Sequence, residues 1–185
     1  FEMEKQTVIF RDLGNVDYQA AWEYQEKLLK QNVRKKSEAG DVKDGEDIAD
    51  SGTMHYLLFV EHPPVYTLGK SGNKENVLLN DEELKEKNIQ FFSTNRGGDI
   101  TFHGNDQIVG YPILDLEKFY TDIGRYLRNL EEVIILTLEE YGIKGERSAG
   151  ETGVWIDTAT PGKERKICAI GVRCSRWITM HGFAF

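Results

Sequence analysis

The sequence is poor in the residues that mark special classes of protein. It has two cysteines in 185 residues, Cys168 and Cys174. They stand six apart with apolar and basic residues between, which is neither a CxxC motif nor a disulfide framework, so a reducing cytoplasm is the expected compartment. No apolar run approaches the roughly 20 residues of a membrane span, and a soluble protein with no membrane partner is expected. Cations are in deficit, with 23 Lys and Arg against 31 Asp and Glu, a net charge of -8. That balance argues against general nucleic-acid binding, which needs clustered Lys and Arg. The opening FEMEKQ carries no basic start and apolar run of a signal peptide, and the lack of Met at position 1 suggests a trimmed or tagged chain. What is present is ordinary for a globular protein: 39% hydrophobic and 11% aromatic residues. A chain of this length suits one domain, here 1–185, with a sizeable core.

Hydrophobic periodicity gives the elements. Thr7 to Leu13 reads as a strand and 14–17 as a turn, with Asp17 placed to cap a helix from Tyr18 towards Lys36. From Arg34 to Asp50 four basic and six acidic side chains nearly replace the apolar ones, which predicts a mobile charged insertion over 34–50. The run MHYLLFVE, Met54 to Glu61, reads as a buried strand ended by His62-Pro63-Pro64. Asn80 with Glu83 is a capping-box pattern for a short helix to Lys87. Strands are expected at 89–93, 100–103, 108–114, 152–156, 166–173 and 176–179, and an amphipathic helix over 122–141 ended by Gly142. Strands grouped between a few helices, without a regular βαβ rhythm, predict an α+β fold with a mixed β-sheet flanked by helices.

Three segments carry polar chemistry. The densest is Arg96-Gly97-Gly98-Asp99-Ile100-Thr101-Phe102-His103-Gly104. Paired glycines let a backbone approach a ligand closely, although a plain hairpin would explain them too, and pattern alone favours the hairpin. In Lys166-Ile167-Cys168-Ala169-Ile170-Gly171-Val172-Arg173, the Lys is either a solvated edge residue or a cation facing a pocket, where it would stabilise a thiolate or polarise a carbonyl. The third is His181-Gly182-Phe183-Ala184, read as a His-Gly turn entering an apolar segment.

In this order the three resemble the lipoyl(octanoyl) transferase family, with its RGG-x-x-T-[YF]-HG segment, K-I-x-[AS]-[IL]-G strand and HG-[FL]-A turn. Gly145-Glu146-Arg147 and Gly150-Glu151-Thr152-Gly153-Val154-Trp155 are similar to that family's segment before the lysine strand. Two departures stand out. Where the family has HGPGQ this chain has His103-Gly104-Asn105-Asp106-Gln107, and the family's nucleophilic Cys, in a Pro-Cys-Gly segment some fifteen residues after HG-[FL]-A, falls beyond Phe185. The domain is therefore expected to be C-terminally incomplete.

The resemblance implies the fold of the lipoate and biotin protein ligase catalytic domain. It implies transfer of an octanoyl or lipoyl group from acyl-carrier protein to a lysine of lipoyl domains, those of 2-oxoacid dehydrogenases and the glycine cleavage H protein, through a Cys acyl-enzyme. No metal, nucleotide or other cofactor is implied, and a cytoplasmic monomer is expected. Lys166 would lower the pKa of the nucleophilic Cys. The substrate site would comprise Arg96, Gly97, Gly98, Asp99, Ile100, Thr101, Phe102 and His103, joined by Ala169, Ile170, Gly171, Gly182, Phe183 and Ala184, with backbone amides of the Gly-rich stretches as oxyanion donors. Cys168, two residues from Lys166 and hence on the same strand face, is a weaker candidate nucleophile. An ATP-dependent lipoate ligase and a non-catalytic acyl or lipoyl-domain binding protein are the alternatives. Lys163, Arg165, Lys166, Arg173 and Arg176, against the single acid Glu164, form a candidate docking face for the acidic carrier protein.

Overall fold

The computed structural model describes residues 5–40 and 51–185. Strand β1 (Val8–Asn15) leads into helix α1 (Tyr18–Gly40), and β2 (His55–Glu61) and β3 (Val65–Leu68) follow. Helix α2 (Asp81–Glu86) precedes β4 (Gln90–Ser93), β5 (Ile100–His103) and β6 (Val109–Ile113), and helix α3 (Ile123–Glu140) precedes β7 (Val154–Ile156), β8 (Arg165–Ser175) and β9 (Ile178–Ala184). Six strands form a mixed sheet in the order β1-β2-β6-β9-β8-β7, and a smaller sheet has the order β4-β3-β5. Within the large sheet β1 runs parallel to β2 and the other pairs are antiparallel. This is the mixed-sheet α+β architecture that the pattern predicts.

The apolar run of β2 is buried on one face and partly buried on the other because a helix covers each side of the sheet. Leu58 and Val60 join Ala21, Leu28 and Leu29 of α1 in one core, while Phe59, pointing the other way, packs at the edge of a second core. That second core joins Leu130, Ile134 and Leu138 of α3 to Val154, Cys168 and Ile170.

Local signals set the ends. The capping box is complete: Glu83 N–H donates to Asn80 Oδ1 at 2.9 Å and Asn80 N–H to Glu83 Oε2 at 2.8 Å. Asp17 Oδ1 accepts from Gln19 N–H at 3.0 Å and Asp122 Oδ1 from Arg125 N–H at 2.9 Å, satisfying amides that a helix start leaves without intrahelical partners.

Three expectations change. Residues 34–40 do not belong to a loose insertion but continue α1, because Lys36, in the polar stretch, lies buried and its Nζ reaches Asp115 Oδ1 at 2.9 Å. The remaining 41–50 of that stretch lie outside the described residues. Strand β3, hidden behind the two prolines, was absent from the predicted elements. The third concerns the end of the chain: 176–179 is not a strand of its own. Arg176 and Trp177, with φ of 49° and 63°, form the turn of the β8–β9 hairpin, and His181 to Ala184 lies inside β9 instead of forming a turn.

Candidate active site

The Arg96-Gly97-Gly98 segment connects β4 to β5, two strands that both pair with β3 and not with each other. It therefore crosses the end of β3, and the plain-hairpin reading of its glycines fails. The loop is fixed from two sides. The 69–71 turn donates to it, through Gly69 N–H to Asp99 O at 3.0 Å, Lys70 N–H to Arg96 O at 2.9 Å and Ser71 N–H to Gly98 O at 3.2 Å. Arg96 itself is buried and donates from Nη2 to Thr67 O, Thr67 Oγ1 and Asp99 O at 2.6, 2.9 and 2.9 Å, and from Nη1 to Gly97 O at 2.9 Å. A guanidinium with its donors in a planar fork suits several carbonyls at once. Burial lowers its pKa, while Tyr18, Tyr111 and Asp99 pull the other way.

The loop meets the large sheet at β8. Gly97 N–H donates to Val172 O at 2.9 Å, so this amide is already engaged and is not an oxyanion donor in this arrangement. A Cβ on Gly171 would stand 2.6 Å from Gly97 O, a distance that real Cβ atoms do not show, so the strand can come this close only as glycine.

Between the loop, β8 and β9 lies a small cavity of about 30 Å³, room for a water or two as the side chains stand. It brings together seven predicted residues, Arg96, Thr101, His103, Ala169, Gly171, Gly182 and Phe183, with Ala184 at its wall as an eighth. The other predicted residues stand outside the lining. Asp99 holds the neighbouring turn, accepting from Asn73 N–H at 3.2 Å and Asn76 Nδ2 at 2.6 Å, and Phe102 turns outward against Tyr66. Gly97, Gly98 and Ile100 do not line it, Ile170 packs in the second core, and Lys166, three residues before Ala169, is also outside the lining.

Tyr18, Tyr111 and His181 also line the cavity, and sequence reasoning named none of them as site residues. Tyr18 stacks on His103 with ring centroids 5.9 Å apart and planes 16° apart. Tyr111 Oη lies 2.7 Å from His62 Nε2. Nothing local distinguishes Tyr18 from the other apolar positions of α1 in sequence; the HG dipeptide did flag His181.

The histidines here are neutral by construction. His103 is pushed down to about 4 and His181 to about 3, in each case mainly by burial and also by the nearby Arg96 charge. Gln107 Oε1 lies 2.8 Å from His103 Nδ1, and Asn95 Oδ1 lies 2.6 Å from His181 Nε2. Because Asn95 Nδ2 donates to Glu26 Oε1 at 3.2 Å, its oxygen is the acceptor, which assigns the proton to Nε2 of His181. The same Glu26 oxygen takes Arg173 Nη1 at 2.7 Å. The His103-Gly104-Asn105-Asp106-Gln107 departure is absorbed locally, since Asp106 adopts φ of 64°, the left-handed conformation that glycine takes and Asp tolerates.

Two side ideas fail on geometry. Cys168 is fully buried and its thiol is pushed up to about 12 by that burial, so it is a core residue and not a thiolate. The basic docking face is not one patch: Arg165 and Arg176 stand at opposite ends of β8, roughly 35 Å apart at strand rise. Arg165 pairs with Asp157 at 2.5 Å and Arg173 with Glu26.

The lipoyl protein ligase A/B catalytic domain model matches residues 17–185. The chain belongs to that family. Within it, the chain is 60% identical over 174 residues to an octanoyltransferase of Christiangramia forsetii, covering 94% of this chain and 72% of that protein. An octanoyltransferase of Flavobacterium johnsoniae is matched equally, at 60% over 174 residues with the same two coverages. Among solved structures, the lipoate ligase catalytic fold recurs in a bipartite lipoate protein ligase from Thermoplasma acidophilum, with TM-score 0.58 and 14% identity over 97% of this chain and 60% of that one. It recurs also in P. falciparum LipL1 in complex with lipoate, with TM-score 0.64 and 12% identity over 97% of this chain and 48% of that one. Among the described residues no helix is long and apolar enough to cross a membrane.

Proposed function

We propose that this chain is the catalytic domain of an octanoyltransferase that moves an octanoyl group from acyl-carrier protein to a lysine of lipoyl domains in protein lipoylation. The observation that carries the reading is the convergence of the RGG loop, the lysine strand β8 and the His181 to Ala184 part of β9 on one cavity, in a chain 60% identical to proteins of that name. The cavity wall of Gly171, Gly182, Ala169, Phe183 and Ala184 suits an apolar chain. Arg96 places a buried positive charge beside it, where a developing oxyanion would form.

The chemistry is thioester to thioester to amide. The enzyme thiolate attacks the carbonyl carbon of the donor, a C–S bond to the enzyme forms, and the carrier's thiolate leaves and takes a proton. The target lysine, as free amine, then forms the C–N bond while the enzyme C–S bond breaks, and the proton released from nitrogen balances the returning thiolate. The nucleophile in this reading is the Cys of the family's Pro-Cys-Gly segment, which follows the HG-[FL]-A segment. Free thiols titrate near ~8.5, so a neighbouring cation speeds the first step, and Lys166 has that role.

The test is mass spectrometry of an apo lipoyl domain incubated with octanoyl-acyl-carrier protein and the full-length enzyme, with no nucleotide present. Octanoylation of the one target lysine is expected. Modification that appears only when ATP and free octanoate are supplied would assign the site to ligation instead.

A further inference from the structure

Glu131 of α3 is a fully buried carboxylate that no step of the proposed reaction uses. Both of its oxygens are engaged. Oε1 accepts from the Gly153 N–H at 3.0 Å, and Oε2 lies 2.9 Å from Arg147 Nε and 3.0 Å from Arg128 Nη1. Arg147 then reaches Glu132 Oε2 at 2.5 Å and the Arg128 carbonyl at 3.1 Å. Apolar packing of the helix does not require this charge, since Leu130, Ile134 and Leu138 supply the buried face. A buried carboxylate costs heavily to desolvate, and here two guanidiniums and a backbone amide offset that cost. What the arrangement fixes is the position of Gly153.

Gly153 has φ of 136°, a conformation side-chain-bearing residues rarely adopt, and a Cβ there would stand 2.7 Å from Cys168 O and 3.3 Å from Lys166 Cε. It lies at an irregularity in the β7–β8 ladder. Val154 pairs with Cys168 but Trp155 pairs with Lys166, so one residue of β7 is matched by two of β8 and Ile167 is the extra one. Such a bulge turns the side chains on either side of it. On a regular strand Lys166 and Cys168 would share a face. Here Cys168 is sealed in the α3 core, while the Lys166 ammonium lies 4.8 Å from the centroid of the Trp155 ring and 3.9 Å from Glu151 Oε2. Trp155 is held in turn by reciprocal backbone bonds with Glu146 at 2.8 Å each, next to Arg147.

We propose that Glu131 is a positioning residue for Lys166: by gripping Gly153 and Arg147 it fixes the bulge that turns the ammonium away from the core and onto the Trp155 face. The proposal rests on the reading of Lys166 as the cation beside the nucleophilic thiolate, and it names the part of the fold that aims it. The segment 145–155, which the sequence marks as family-like, thereby acquires a task.

The decisive variant is Glu131→Leu in the full-length protein. It keeps apolar packing in α3 and lets the half-exposed Arg128 and Arg147 turn to solvent, yet removes the acceptor for Gly153. Lys166 is read directly by lysine-reactive footprinting and peptide mass spectrometry, with the exposed Lys163 as internal reference. Expected is a several-fold rise in Lys166 reactivity relative to Lys163, an upward shift of the pH-rate profile for alkylation of the nucleophilic Cys, and a fall in kcat with the donor KM unchanged. Glu131→Gln, which keeps an oxygen for the Gly153 N–H, should restore the Lys166 reactivity towards that of the parent. Gly153→Ala, which leaves Glu131 intact but drives a Cβ into the bulge, should disturb Lys166 as Glu131→Leu does, and serves alone if the Leu variant does not fold. Parent-like Lys166 reactivity in folded Glu131→Leu or in Gly153→Ala overturns the proposal. A Lys166→Ala enzyme with an unmoved alkylation profile would instead remove the role given to Lys166, while the footprint continues to judge Glu131.

Discussion

Arg96 is tied to Thr67 by two bonds from one nitrogen, at 2.6 Å to the carbonyl and 2.9 Å to the hydroxyl, so the RGG loop is strapped across the end of β3 from behind. The residue that the sequence motif offers as substrate-binding is thus first a clamp on its own loop. Replacement by Lys keeps the charge but cannot reach Thr67, Gly97 and Asp99 together. We expect Arg96→Lys to lose roughly 2–4 kcal/mol of stability, through several unpaired buried carbonyls, and most transfer activity. Urea unfolding with a parent-like slope measures the first; a variant as stable as the parent would refute the clamp.

The buried histidines make a pH prediction whose sign is fixed. His103 and His181 are pushed from the usual 6.5 to about 4 and about 3, and His62 is lowered as well, all chiefly by burial. The folded state disfavours their protonation, so between about pH 6.5 and these lowered values the unfolded chain binds more protons. Stability is complete above about 6.5 and declines as the pH falls. At pH 5 each of His103 and His181 should remove roughly 2 kcal/mol relative to pH 7. Denaturant unfolding across that range, with His103→Asn expected to flatten the dependence, is the measurement. A pH-independent midpoint between 7 and 5 would show that these rings are solvated.

Much of this fold is legible because its signals are local. Asn80 with Glu83, the apolar spacing from Ile123 to Leu138, and the run through Leu58 each declare an element that the structure contains. What was not legible depends on partners distant in sequence. The polar end of α1 reads as an insertion until Lys36 finds Asp115, 79 positions away. Strand β3 has only four residues behind two prolines and exists because β4 and β5 flank it. In the cavity, the glycine segments advertise themselves as passages for a backbone. Tyr18 and Tyr111 look in sequence like any core aromatics, and only the folded chain shows them walling the site.

Cys168 provides a prediction that separates burial from chemistry. Its thiol is fully buried and pushed up to about 12, and the bulge at Ile167 separates it from Lys166. Cys168→Ala should therefore leave octanoyl transfer within about twofold of the parent while costing on the order of 1 kcal/mol for the small cavity created. Loss of acyl-enzyme formation in this variant, seen by intact mass, would return Cys168 to consideration as the nucleophile.

The last prediction concerns the pair that joins α1 to the far end of the β8–β9 hairpin. Lys36 and Asp115 are nearly inaccessible, with side-chain exposures of 8% and 1%, and they meet at 2.9 Å. Lys36 Nζ also reaches Glu117 Oε2 at 2.8 Å and donates to Arg176 O at 2.8 Å. Asp115 also accepts from Thr53 Oγ1 at 2.9 Å and from Glu117 N–H at 3.2 Å. The Arg176-Trp177 turn takes two consecutive left-handed residues without a glycine, which holds only where the surroundings over-determine it. Lys36→Met removes the cation, leaves the buried Asp115 charge short of its main partner, and releases the turn carbonyl. Breaking a buried pair from one side costs about 3–5 kcal/mol, and the hairpin end should open first. Hydrogen exchange should thus accelerate for amides of 174–179 beyond the acceleration shared by the rest of the sheet. In a double-mutant cycle, adding Asp115→Asn to Lys36→Met should cost much less than Asp115→Asn alone. Additive losses, or exchange that rises evenly over β8 and β9, would mean that the pair does not hold the turn.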